Sequence, residues 1–312
     1  MKDQILGLHH ITAIAGDAQR NYDFYTKVLG LRMVKKTVNF DDPGTYHFYF
    51  GDEAGTPGTI LTFFPYARVH QGKTGPGMAT EIGYSVPKGS LEFWKDRFEK
   101  LDVPHQEISS RFNEDFLSFK DPDGLDLELI VPQLSDSRKP YVIGDITAEV
   151  ATRGFYSVTL TLKEKTATAA ILTEVFGYEL KQEEGKRSRY QTQAVENAAI
   201  VDILELPDAP AGLQAGGTNH HVAFRVKDEE TLMSFRKKIL DRGLHITEKI
   251  NRDYFYSLYF REPGGVLFEI ATDNPGFATD ETVEQLGSSL QLPSQHEPLR
   301  PRIEKLLPEI KH

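Results

Sequence analysis

Hydrophobic and polar positions along the chain repeat one pattern four times. A strand-like run is followed by an amphipathic stretch at helical spacing that ends near glycine, and then by further strand-like runs. In the first copy a strand is expected at 8–15, and Asp17 is placed to cap a helix. Tyr22, Tyr25 and Leu29 share one helical face before Gly30, and strands are expected at 33–39, 45–50 and 59–64. The second copy has a strand at 79–86, then Ser90 ahead of a helix whose Leu91, Trp94, Phe98 and Leu101 share one face, then strands at 116–120 and 126–131. The third runs from a strand at 154–162 through Leu172, Val175, Phe176 and Gly177 to strands at 178–182, 188–192 and 199–204. The fourth has a strand at 219–226, Asp228 as cap, a stripe of Leu232, Phe235 and Ile239, and strands at 245–248, 254–261 and 266–271. This order predicts an α+β fold of four βαβββ modules.

Two copies share a turn. Asp121-Pro122-Asp123-Gly124 leads to Glu128, and Glu262-Pro263-Gly264-Gly265 leads to Glu269. Each turn reverses the chain into a strand that carries a carboxylate. Hairpin turns of this kind are common, so Glu128 alone is expected to face water. Residues 132–153 read as a linker, which divides the chain into an N-terminal domain, 5–132, and a C-terminal domain, 153–273, of two modules each. The proline-punctuated tail, 274–312, is expected to be a loosely packed wrap or lid, or partly disordered.

Composition narrows the chemistry. With 36 basic and 46 acidic residues the net charge is −10, which opposes nucleic-acid binding and docking to anionic membranes. It suits a monomer or homo-oligomer that acts on a small molecule. There is no cysteine, so thiol nucleophiles, disulfides and sulfur-ligated metals are excluded, and any metal must be held by His, Asp or Glu. The N-terminus lacks a cationic region followed by a long apolar stretch, and no apolar run approaches a membrane span of roughly 20 residues. A cytoplasmic location is expected.

Tandem histidines open equivalent strands: His9-His10 in the first module and His220-His221 in the fourth. Neighbouring strand residues point to opposite faces, so one member of each pair faces the concave side of its sheet. A lone strand histidine is usually structural, but two pairs at matching repeat positions point to a metal. Glu269 supplies the carboxylate. Glu81 and Tyr156 are read as occupying the matching places in the second and third modules, so only the first and fourth modules together complete a triad. Two imidazoles and one carboxylate leave coordination positions open, which suits ferrous iron, with manganese(II) as a substitute.

At these residues the chain resembles the glyoxalase/bleomycin-resistance/dioxygenase, or vicinal-oxygen-chelate, superfamily. LHHITAIAGDAQRNYDFYTKVLGLR resembles its opening module, and TNHHVAFRVKD and REPGGVLFEIATD its metal-bearing closing module. The similarity covers about residues 5–290 and is strongest to hydroquinone-cleaving dioxygenases and quinone-resistance enzymes of bacteria. It implies two half-open-barrel domains, and a ring-cleaving oxidoreductase that uses iron and dioxygen on a small aromatic substrate in aromatic catabolism or quinone detoxification. It further implies His10, His221 and Glu269 as ligands, His9, His220 and Thr12 beside them, His220 or His9 as base, and Arg252 and Tyr259 at the substrate. Tyr156 stands where such relatives carry histidine. Two rival readings are a glyoxalase-type isomerase or lyase, which adds a fourth protein ligand, and a small-molecule-sequestering resistance protein, which lacks the triad.

Overall fold

The computed structural model describes residues 3–311. The first module comprises β1 (Leu8–Ala15), α1 (Ala18–Asp23), β2 (Arg32–Val38), β3 (Tyr46–Gly51) and β4 (Ile60–Pro65). The second comprises β5 (Met78–Ser85), α2 (Leu91–Lys100), β6 (Ser109–Arg111), β7 (Glu114–Lys120) and β8 (Asp126–Ile130). The third holds β9 (Phe155–Leu162), α3 (Thr166–Ala170), β10 (Glu179–Glu184), β11 (Arg187–Gln191) and β12 (Ile200–Glu205). The fourth holds β13 (Thr218–Val226), α4 (Glu229–Asp241), β14 (Ile250–Asn251), β15 (Phe255–Arg261) and β16 (Leu267–Pro275), and α5 (Arg300–Leu306) lies in the tail.

Local chemistry explains these elements. Asp17 and Asp228 accept bonds from the backbone N–H three residues on, which fixes the starts of α1 and α4. Ser90 makes no such bond and donates its hydroxyl to the Pro87 carbonyl. Helices α1 and α3 each run on into a π-helical turn, where Leu29 N–H reaches Phe24 O and Phe176 N–H reaches Ile171 O, both at 3.0 Å. This shared irregularity is a structural trace of the repeat. The short edge strand β6 carries polar Ser109 and Ser110, too brief a run to stand out from a loop.

The strands form two eight-stranded sheets. One has the order β14-β15-β16-β13-β1-β4-β3-β2, and the other β10-β11-β12-β9-β5-β8-β7-β6. Each is a curled half-barrel of the vicinal-oxygen-chelate type. The sheets therefore pair the first module with the fourth and the second with the third, across the sequence division at 132–153. Strand β1 lies antiparallel to β13, and β5 antiparallel to β9. Gly217, just before β13, joins the sheets: a Cβ there would sit 1.9 Å from the Asp123 carbonyl oxygen, and its φ is +77°.

The tail is firmly packed, contrary to the loose wrap its prolines suggest. Leu292, Ile303, Leu307 and Ile310 are buried, and Gln291 N–H bonds Lys36 O at 2.9 Å. The tail thus covers the open edge of β2, which would otherwise expose unpaired backbone groups. Lys35, fully buried on β2, pairs with Asp280 and Glu281 and lies 4.7 Å from the centre of the Tyr254 ring.

Removing Lys35 would strand the buried Glu281 carboxylate. Lys35→Ala should destabilise the protein by about 3 kcal/mol or more in urea unfolding. A change within about 0.5 kcal/mol would mean the tail is not anchored there.

Candidate metal centre

The pairing of β1 with β13 sets Thr12 opposite His221 and His10 opposite Ala223, so both second histidines project from one concave face. Strand β16 runs parallel to β13 and places Glu269 opposite Ala223. The two Nε2 atoms lie 3.4 Å apart, and Glu269 Oε2 lies 3.2 Å from that of His10 and 2.8 Å from that of His221. One ligand atom from each residue falls within 4.8 Å of the others, and all three side chains are buried.

The donor set fits a metal ion. Both carboxylate oxygens of Glu269 are buried without a well-formed hydrogen bond, although Oε2 touches two imidazole nitrogens. Such an anion is costly unless a cation occupies the space it faces. Burial alone would raise the pKa of Glu269, but without an ion the positive charge and N–H of protonated His10 and His221 outweigh it and hold the carboxyl well below its usual range.

Hydrogen bonds around the triad set the histidine tautomers. His9 Nε2 lies 3.1 Å from the Thr272 carbonyl, which only accepts, so Nε2 carries the proton and Nδ1 is left with a lone pair. His10 Nδ1, 2.9 Å away, must then donate to it, which frees His10 Nε2 as a ligand. On the fourth module His220 Nδ1 lies 2.8 Å from His221 Nδ1. If His221 is likewise to present a bare Nε2, His220 carries its proton on Nε2, and His220 lines the cavity. Burial keeps His9 and His220 neutral and pushes the pKa of His220 down to about 3.

His10 and His221 sit in a cavity of about 510 Å³, walled by Phe40, Phe64, Tyr66 and Phe255 among others. Tyr259 packs edge-on against His221 with ring centres 5.6 Å apart, and burial raises its pKa. The Arg252 guanidinium lies 5.3 Å from the centres of both the Tyr259 and Phe40 rings, and 4.0 Å from Asp41. Thr12 lies off the cavity wall and shares a 2.8 Å bond with Thr62. All eight residues singled out in the sequence thus gather in one region. His47, Thr62 and Tyr49 carry no sequence motif and join the site only through the curl of β3 and β4.

The second sheet corrects two expectations. Its register sets Gly83 opposite Ser157 and Glu81 opposite Thr159, as Thr12 faces His221 and His10 faces Ala223 in the first. Glu81 therefore matches His10, but Ser157, not Tyr156, matches His221. Tyr156 is one residue out of step and donates instead to Glu114. Glu128 does not face water either: it is buried and paired with Arg111. Arg187 binds Glu81 and Arg189 binds Asp202, each through two nitrogens, so guanidinium groups neutralise the acids of this half-barrel. Among the described residues only His10, His221 and Glu269 form a metal-competent cluster.

Known proteins resemble the chain throughout. The family model for the Glyoxalase/Bleomycin resistance protein/Dioxygenase superfamily matches residues 7–129 and 155–270. A Bacillus subtilis (strain 168) protein named as a candidate ring-cleaving dioxygenase, MhqO, is 46% identical over 99% of this chain and 98% of its own. The chlorohydroquinone/hydroquinone 1,2-dioxygenase of Sphingobium indicum is 35% identical over 95% and 94%. A crystal structure from Bacillus subtilis subsp. subtilis str. 168, described as a candidate dioxygenase, superposes with a TM-score of 0.95 at 44% identity, covering 99% of this chain and 98% of that one. Glyoxalase I from Zea mays shares the fold alone, with a TM-score of 0.63 at 14% identity over 86% and 92%.

His9→Ala leaves the three ligands in place but removes the acceptor for His10 Nδ1–H. Iron(II) affinity measured by anaerobic titration should fall about 10- to 100-fold. Unchanged affinity would show that the Thr272–His9–His10 line does not prepare the ligand.

Proposed function

This chain belongs to the glyoxalase/bleomycin resistance protein/dioxygenase superfamily, and on that premise we propose that it is a ring-cleaving dioxygenase for hydroquinones. Its centre would be a ferrous ion held by His10, His221 and Glu269. The observation that carries this reading is the buried donor set: two imidazole Nε2 atoms and a carboxylate within 4.8 Å of one another, beside an aromatic-walled cavity. The names of the relatives from Bacillus subtilis and Sphingobium indicum agree with it.

Iron bound there would act as a Lewis acid and offer adjacent positions to a ring oxygen and dioxygen. The chain's own groups do the rest. Phe40, Phe64 and Phe255 provide flat apolar contacts for the ring and exclude water. Arg252 faces the cavity with only a distant carboxylate partner, so it can stabilise negative charge on a substrate oxygen. In the metal-ready state neither His9 nor His220 keeps a free ring lone pair, so His220 acts as an Nε2–H donor toward the substrate rather than as its base.

The isomerase reading requires a fourth protein ligand. Thr62 pairs with Thr12 in register as Glu269 pairs with Ala223, so a threonine occupies the place where that ligand would stand. The sequestration reading leaves the buried triad without a purpose.

With iron(II) supplied anaerobically, the protein should consume oxygen when hydroquinone is added, and His221→Ala should lose both bound iron and oxygen uptake. No uptake by the wild type across a panel of substituted hydroquinones would reject the dioxygenase reading.

A further inference from the structure

A line of hydrogen bonds runs beside the triad without touching it. Thr12 Oγ1 lies 2.8 Å from Thr62 Oγ1, which lies 2.9 Å from His47 Nε2, and His47 Nδ1 lies 3.0 Å from the Tyr49 hydroxyl. These four side chains come from three neighbouring strands, β1, β4 and β3, on one concave face. His47 and Tyr49 line the cavity, whereas Thr12 is fully buried away from it.

The protons of this line can be counted. With His47 neutral, as its burial requires, the four groups carry four protons for three bonds. One O–H is therefore left over, on Thr12, Thr62 or Tyr49. On Thr12 or Thr62 it would be buried with no further acceptor, because among the described residues these hydroxyls bond only each other and His47. A buried donor without an acceptor is the less stable choice. At the Tyr49 end the spare O–H faces the cavity, where a ligand can accept it. The donors therefore run from Thr12 to Thr62, from Thr62 to His47 Nε2, and from His47 Nδ1–H to the Tyr49 oxygen. Each bond polarises the next, which strengthens Tyr49 as a donor.

We propose that Tyr49 is a specificity-determining residue that donates a hydrogen bond to a second ring oxygen of the substrate, its direction fixed by the Thr12–Thr62–His47 line. The proposal rests on the reading of the site as one for a two-oxygen aromatic substrate. It assigns to His47 a positioning role, acting through Tyr49. An aromatic with a single oxygen, held at the triad, gains nothing from Tyr49.

Nitrogen-15 NMR of the metal-free protein tests the line without any reaction. His47, assigned by the signal lost in His47→Gln, should be protonated at Nδ1, and Thr62→Val should shift it toward the Nε2–H form. A proton on Nε2 in the wild type overturns the proposal. Anaerobic calorimetry on the iron-loaded protein tests recognition. Tyr49→Phe should weaken hydroquinone binding about five- to tenfold while leaving phenol binding unchanged. Equal effects on both ligands, or on neither, with wild-type hydroquinone binding intact, overturn the proposal alone. Wild-type protein that binds no hydroquinone overturns the functional reading, and the proposal with it.

Discussion

The site depends on one backbone interaction, the antiparallel pairing of β1 with β13. Those strands lie more than two hundred residues apart in sequence, and their hydrogen bonds join the fourth module to the first at the middle of the first sheet. The pairing places His10 beside His221, and β16, parallel to β13, brings in Glu269. No single module can form the centre. A metal held by these three side chains would bind only with folding of the whole first sheet, because they share no preformed local segment. The tail reinforces this arrangement: its Phe277 packs on Tyr254, Tyr49 and Phe255, and Phe255 of β15 lies against His9 and His10.

The two halves of that sheet are related by a near-symmetry that the chemistry breaks. Each tandem pair joins its rings through Nδ1 atoms and aims the Nε2 of its second histidine at the centre. The first pair is tied to the Thr272 carbonyl, whereas the second meets the cavity through His220. One pair is thus locked by backbone and the other is left to face the cavity. Likewise Glu269 has Thr62 as its counterpart, which adds no carboxylate to the cluster and joins a hydrogen-bond line instead. The second sheet has gone further, with arginines occupying the spaces around Glu81, Glu128 and Asp202.

Much of this was legible in the sequence because its signals are local. Helix caps at Asp17 and Asp228, Pro/Gly turns before Glu128 and Glu269, and alternating strands define the modules before any coordinates are known. The triad was also legible, since tandem histidines are rare enough to stand out and only the first and fourth modules carry them. What escaped depends on register and on non-local partners. The slip between Tyr156 and Ser157 is one residue, which moves a side chain to the opposite face of a strand. Glu128 looks solvent-facing until Arg111 is brought across from β6. His47 and Tyr49 sit in a strand whose aromatic run reads as core, and only the neighbouring threonines reveal their polar role.

Anomalous diffraction at the iron edge, from crystals grown anaerobically with iron(II), tests the central claim most directly. A single strong peak bonded to His10 Nε2, His221 Nε2 and a Glu269 oxygen is the predicted result. Iron bound elsewhere on the chain, with the three side chains unligated, would contradict it.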